Sequence, residues 1–249
     1  MKKVLITGAS SGFGKAIAEK FASQGYSLII TGRRRDLLES LAAELHNAFQ
    51  VSVSVKVFDV QDRKQVFDAL QNDADLEDVD VLVNNAGLAL GRDLFEDADL
   101  DDWETMIDTN VKGLLYVTKA VIPSMIARGK GHIINIGSTA GKEVYEKGNI
   151  YCATKTSVDA ISQALRIDLL RHKIKVTVLH PGAAETAFST IRFKGDEKTA
   201  KSVYEGYEPL QAEDIADTVY YCASLPDHVC INSVVMTCTA QANSFYLNK

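Results

Sequence analysis

The chain is poor in the residues that build covalent frameworks and metal sites. Its four cysteines, Cys152, Cys222, Cys230 and Cys238, form no Cys-x-x-Cys pair, so neither a disulfide scaffold nor a zinc site is indicated. The five histidines are scattered, and no metal is expected. Positive charge is in deficit, with 27 Lys and Arg against 33 Asp and Glu. Binding a phosphate backbone needs a positive field, so the net charge of −6 disfavours a nucleic-acid partner. No apolar run approaches the ~20 residues that span a bilayer, so no membrane association is expected. The strand-like "VLIT" begins within three residues of the start, leaving no room there for a signal peptide. A reduced, cytoplasmic setting is the expectation.

What is present is ordinary globular material, 46% hydrophobic and 24% charged over 249 residues, a length that suits one large domain. Apolar, β-branched runs at 3–7, 27–31, 53–58, 79–85, 131–138, 175–180 and 231–237 read as strands. Helical periodicity marks 14–24, 35–47, 63–73, 103–129, 151–172 and 212–225 between them. Alternating β and α units imply an α/β fold, a Rossmann-type doubly wound parallel sheet of about seven strands with helices on both faces. Near-continuous apolar strands such as "HIINI" fit a sheet buried on both sides. The spacing leaves no linker, so residues 1–249 are expected to form a single domain. One polar stretch, 183–210 after the sixth strand, breaks the rhythm and reads as a substrate lid.

"VLITGASSGFGKAIAEKF" places Gly8, Gly12 and Gly14 between the first strand and the first helix. A dinucleotide pyrophosphate needs a tight turn, close backbone approach and free N–H groups at a helix N-terminus. The spacing is Gly-x-x-x-Gly-x-Gly, a variant of the commoner dinucleotide fingerprint. At the end of the second strand, where an NAD site wants a carboxylate, the chain reads "TGRRRD". Arg33 and Arg34 suit a 2′-phosphate through charge-assisted hydrogen bonds, so NADP is the expected cofactor, while Arg35 is placed to begin a solvated helix. Asp59 and Val60 end the third strand and are placed to bracket the adenine. Asn84, Asn85, Ala86 and Gly87 end the fourth, with small residues that admit a backbone approach.

Tyr151 and Lys155 lie one turn apart on a predicted helix, a pair that alone decides nothing. With Asn110 in "DTNVKGL" and Ser138 in "INIGSTAG" they complete a pattern. The sequence resembles the short-chain dehydrogenase/reductase family, with "TGASSGFG", "NNAG", the serine closing the fifth strand, "YCATK" and "HPG" all in order. The resemblance implies strand order 3-2-1-4-5-6-7 and a catalytic set of Asn110, Ser138, Tyr151 and Lys155. It also implies cofactor contacts from Gly8, Ser10, Ser11, Gly12, Phe13 and Gly14, from Arg33 and Arg34, from Asp59 and Val60, and from Asn85, Ala86 and Gly87. Further contacts are implied from Tyr151, Lys155, Pro181, Gly182 and Thr186. Hydride delivery to a carbonyl leaves an alkoxide that needs a proton from a positioned acid. A lysine ammonium beside Tyr151, with the charge of an oxidised nicotinamide, is expected to lower the phenol's pKa of about 10. Ser138 is expected to hold the reacting oxygen, and Asn110 resembles the position that kinks a helix around a relay water.

More narrowly, "NNAGLALG", "DDWETMIDTNVKGL", "GHIINIGSTAG" and "IRFKGDEKTAKSVYEG" resemble the NADP-dependent serine/3-hydroxy acid dehydrogenase group, which includes allo-threonine dehydrogenases and malonic semialdehyde reductases. Arg192 and Lys194 then become candidate partners for a substrate carboxylate, the bidentate arginine first, with Ser138 and Tyr151 at the reacting centre. His180 before Pro-Gly and Ala187 depart from that group's pattern, His180 reading as structural. Asp101 or Asp102 is expected to cap the long helix. Two other readings stand beside this one: an NADPH-dependent carbonyl reductase of neutral ketones, diketones or pterin side chains, and a dinucleotide sensor without turnover. By analogy a homotetramer is implied.

Overall fold

Each central strand sends alternate side chains into two different cores. In β1 (Lys3–Thr7), Val4 and Ile6 belong to one buried cluster and Leu5 to the other. The same split divides Leu28 and Ile30 from Ile29 in β2 (Ser27–Gly32), and Val81 and Val83 from Leu82 in β4 (Val79–Asn84). A strand with apolar residues at every position therefore needs cover on both faces, and this computed structural model provides it. It describes residues 2–71 and 73–249.

The parallel sheet has the order β3-β2-β1-β4-β5-β6-β7, completed by β3 (Val53–Val57), β5 (Gly131–Ile136), β6 (Ile174–Pro181) and β7 (Ser233–Met236). Helices α1 (Gly12–Ser23), α2 (Arg35–Phe49) and α9 (Ala212–Ser224) bring Phe21, Leu38 and Val219 to the first core. Helices α3 (Arg63–Leu70), α5 (Leu114–Arg128) and α6 (Asn149–Leu169) bring Val66, Val121 and Leu169 to the second. Full burial of residues such as Ile30 or Leu82 contributes roughly 1.5–3 kcal/mol each. The chain order reverses between β1 and β4, which opens a crevice beyond their carboxyl ends.

Several boundaries differ from expectation. The predicted helix over 63–73 stops at Leu70, and its residue 72 lies outside the described residues. Asp99 caps α4 (Leu100–Ile107), its carboxylate accepting from the Asp101 amide at 2.9 Å. Asp101 and Asp102 occupy the first turn instead, where negative charge favours the helix dipole. The predicted helix over 103–129 is divided by a π turn, Asp108–Gly113, between α4 and α5. The polar stretch at 183–210 holds two short helices, α7 (Ala187–Arg192) and α8 (Glu197–Ser202). Among the described residues no helix is long and apolar enough to cross a membrane.

A polar seam crosses the second face. Asn84 Nδ2 donates to Thr118 Oγ1 at 2.8 Å and to Asn135 Oδ1 at 2.9 Å, and Asn135 Nδ2 donates to Ser162 Oγ at 2.9 Å. All four residues are buried, so β4 and β5 are tied to α5 and α6 by amides whose alternative is an unpaired polar group. Asn84 is thus turned into the core and away from the crevice.

Candidate active site

The crevice is a cleft of about 1230 Å³ reaching from the glycine loop to α7. Every residue named above for the chemistry, the cofactor or the substrate lines it except Gly14, Asn84, Asn110 and Lys194. Gly14 is correctly a glycine for a different reason: a Cβ there would lie 2.3 Å from the Gly8 carbonyl oxygen and 2.5 Å from Asn85 Nδ2. Its role is to let α1 pack onto the loop, beneath the cleft wall. Gly8 and Gly12 have φ of +67° and +53°, the left-handed region that side chains disfavour. Asn85 closes the other side, donating from Nδ2 to the Thr7 carbonyl at 2.8 Å, while the Asn85 and Ala86 amides donate to Thr7 Oγ1. The floor is therefore bare backbone at a helix N-terminus, the surface a pyrophosphate needs.

The arginines divide their work. Arg34 Nη2 donates to Ser10 Oγ at 2.8 Å and to Ser11 Oγ at 2.9 Å, which holds its guanidinium at the phosphate loop. Arg33 Nη1 lies 3.5 Å from Asp59 Oδ2 at the end of β3. Arg35 pairs with Glu39 on the outer face of α2, as a solvated helix start does. Val60 packs on Gly113 at the π turn, where a Cβ would come within 2.8 Å of Val60 Cγ2.

At the chemical end, β5 stops at Ile136, and Ser138 follows in extended backbone, its hydroxyl accepting from the Ala140 amide at 3.1 Å. Helix α6 presents Tyr151 and Lys155 on one face, 8% and 6% exposed. Lys155 Nζ donates to the Ile136 carbonyl at 2.9 Å, and burial lowers its pKa from 10.5 to about 8. Burial and the neighbouring Tyr145 push the Tyr151 phenol up, against a Ser138 hydrogen bond and the Arg192 guanidinium, which pull it down. Enclosure thus works against the lowering expected from Lys155, which is not among the main charges acting on the phenol. Desolvation of the phenolate outweighs the nearby charges, and the phenol keeps its proton.

Asn110 sits behind this layer. Its Oδ1 accepts from the Leu88 amide at 2.9 Å, and its Nδ2 donates to the Leu88 carbonyl at 2.8 Å and to Thr154 Oγ1 at 3.1 Å. It lies on the π turn, at the position where the resemblance implies a kinked helix. A Cβ on Gly87 would stand 3.2 Å from Asn110 Oδ1 and 3.4 Å from Lys155 Nζ, so the glycine keeps these groups close.

The stretch after β6 folds back over Tyr151. Arg192 holds its guanidinium 5.4 Å from the Tyr151 ring centre and donates to the Tyr145 hydroxyl at 3.1 Å. Its carbonyl accepts from the Gly91 amide at 3.0 Å. Lys194 points elsewhere, pairing with Asp102 on α4 at 2.8 Å, and does not line the cleft. Its candidacy for a substrate anion is withdrawn, because a nearer carboxylate already claims the ammonium. Among the cleft residues that escaped the sequence reading are Tyr145 and Gln241. Tyr145 sits in the loop between Ser138 and Tyr151, a position that itself was the available signal. Gln241 accepts from the Ala183 amide at 2.7 Å, and nothing in "TAQAN" marks it.

A seven-stranded parallel sheet with a glycine loop at its switch point, and Ser, Tyr and Lys at the far end of one cleft, defines a nucleotide-dependent oxidoreductase architecture. The chain belongs to the short chain dehydrogenase family, whose shared pattern matches residues 2–196. It is 47% identical to the NADP-dependent 3-hydroxy acid dehydrogenase YdfG of Salmonella typhi, over 96% of each chain. It is 46% identical to sulfoacetaldehyde reductase 2 of Chromohalobacter salexigens, over 98% of this chain and 96% of that one. Among solved structures, the closed form of a serine dehydrogenase complexed with NADP+ superposes with a TM-score of 0.92 at 43% identity, over 97% of each chain.

Proposed function

We propose that this protein is an NADP-dependent oxidoreductase that interconverts hydroxyl and carbonyl on a small 3-hydroxy acid such as serine, allo-threonine or a 3-hydroxypropionate-like acid. The observation that carries the substrate class is Arg192, an anion-binding group placed directly over the ring of the proton donor. The names of the relatives above, each a dehydrogenase or reductase, support the same reading.

The bare glycine cradle and the serine-anchored Arg34 fit a dinucleotide bearing a 2′-phosphate, which supplies or accepts the hydride when bound. Ser138 donates a hydrogen bond to the reacting oxygen. Tyr151 Oη gives that oxygen a proton in reduction and takes it back in oxidation. Lys155, pinned on Ile136, keeps positive charge one helical turn away. Asn110 fixes the Leu88 backbone and α6 behind them. Arg192 receives the substrate carboxylate, and residues 183–210 act as a lid on a single domain.

Assembly as a homotetramer in the cytoplasm completes the proposal. Ile167 and Leu170, each 74% exposed at the end of α6, together with Phe245 and Tyr246 near the C-terminus, supply apolar surface for neighbouring copies. The retention of Asn110, Ser138, Tyr151 and Lys155 counts against a sensor without turnover.

The test is Arg192→Ala, assayed on a hydroxy acid and on an uncharged alcohol by absorbance of the reduced nicotinamide. KM for the acid should rise about 10- to 100-fold, the loss of one charge-assisted bond, with the alcohol little affected. Equal losses on both would favour the neutral-carbonyl reductase reading.

A further inference from the structure

One buried titratable side chain takes no part in the chemistry above. His180 closes β6 with no exposed surface. Its Nδ1 lies 3.0 Å from the Ser138 carbonyl oxygen. A carbonyl only accepts, so Nδ1 carries the hydrogen and donates it. Burial holds the His180 pKa below its usual value, so the ring is neutral near pH 7 and its Nε2, which then carries no hydrogen, lies 3.2 Å from Asp159 Oδ1 without bonding it. Asp159 stands on α6 two turns beyond Tyr151 and one beyond Lys155, so the spacing 151, 155, 159 puts all three on one helix face. Its second oxygen pairs with Lys142 Nζ at 2.8 Å. Gly137 leaves the space for the ring: a Cβ there would come within 2.7 Å of His180 Nδ1. The Gly137 amide also bonds the Leu179 carbonyl at 2.7 Å. The imidazole is therefore wedged between the serine's own peptide and the helix that carries the phenol and the ammonium.

We propose that His180 is a positioning residue for Ser138, fixing the serine main chain through its Nδ1–H bond to the Ser138 carbonyl while the ring fills the space between that peptide and the Tyr151–Lys155 helix. Ser138 begins a tight turn whose local bonds are its hydroxyl to the Ala140 amide and its carbonyl to the Gly141 amide. Lys155 and Thr156 tie α6 to Ile136 and Gly141 on either side, and the His180 bond is what holds the Ser138 peptide itself from the β6 side. Bonding to the reacting oxygen depends on the Ser138–Tyr151 spacing, and misplacement by an ångström is enough to cost about 100-fold in rate. The His180 ring lies behind the cleft wall and does not line it, so cofactor binding does not depend on it.

The role rests on Ser138 acting at the reacting oxygen, and the experiment separates the two claims. Steady-state kinetics are measured on His180→Leu, His180→Phe, His180→Asn, Asp159→Asn and Ser138→Ala, with NADPH affinity from fluorescence and folding from thermal melts. His180→Leu, which loses the Ser138 contact, should lower kcat about 10- to 100-fold with NADPH affinity unchanged. His180→Asn places an amide N–H where Nδ1 was and should restore most of that loss. Asp159→Asn, which breaks no hydrogen bond to the ring, should keep kcat within about twofold, and His180→Phe, which fills the space without a donor, serves if His180→Leu does not fold. An unchanged kcat in His180→Leu, equal losses in the Leu and Asn variants, or NADPH affinity falling in step with kcat would each overturn the role. Full activity in Ser138→Ala would instead sink the reading of the site itself.

Discussion

Lys155 is an ammonium held almost wholly buried at the cleft wall, and its cost can be measured. Burial takes its pKa from 10.5 to about 8, and at about 1.4 kcal/mol per tenfold this is ~3 kcal/mol against the folded, cofactor-free protein. The unfolded chain holds the proton up to pH 10.5, whereas the folded chain releases it near 8. The penalty is therefore complete below pH 8 and is relieved as the pH climbs towards 10.5. Lys155→Met removes the charge and keeps the volume, at the loss of one hydrogen bond to Ile136, roughly 1 kcal/mol. The balance is a cofactor-free variant about 2 kcal/mol more stable than the parent at pH 7, worth about 4–8 °C in Tm for a chain of this size. The same variant should be inactive. Urea unfolding of both proteins at pH 7 and pH 10, without cofactor, tests this, and the gap should shrink at pH 10. A methionine variant less stable at pH 7, or a gap independent of pH, would refute the argument that function here is held at the expense of stability.

Other outcomes follow from the same geometry. Arg34→Ala should weaken NADPH binding about 10- to 100-fold and leave NADH almost unaffected, read by fluorescence titration of each. Gly14→Ala should destabilise the fold by about 1–3 kcal/mol and abolish cofactor binding, because the added methyl meets fixed backbone; Tm and the same titration report it. His132 is buried in β5 with its pKa lowered from 6.5 to about 3, by burial and the Lys175 charge, and Nε2 2.7 Å from Thr177 Oγ1. Its neutral form stabilises the protein above pH 6.5, and about 2 kcal/mol of that is lost between pH 6.5 and 5. His132→Gln, which keeps a donor towards Thr177, should flatten that part of the acid limb in urea midpoints; an unaltered limb would show that another group governs it.

Much of this was legible in the chain because the signals were local. Uninterrupted apolar strands announced a sheet covered on both sides, and glycines between a strand and a helix announced the phosphate floor. The family pattern carried the strand order, which no local signal encodes. What escaped depended on through-space partners. Gly14 was assigned to the cofactor although its constraint is the Gly8 carbonyl beneath it. Lys194 was weighed beside Arg192, yet α4 presents Asp102 to it, a pairing ninety residues apart in sequence. The Tyr151 and Lys155 spacing was readable, but the direction of their pKa shifts was set by enclosure, to which Tyr145 and Phe188 contribute. The break at 108–113 was signalled by the family pattern at Asn110 and not by periodicity, because one π turn shifts the phase of the apolar stripe by a single residue.

Arg192 is joined by its own peptide to Gly91 while its side chain reaches over Tyr151. On the role proposed for Arg192, the hand that grips the substrate is also part of the door. A molecule bearing a negative group would pull shut the chamber in which it reacts, and one without it would leave the door ajar to solvent. Selection would then act on turnover as well as on occupancy, and a poor fit would be penalised at the moment of sealing.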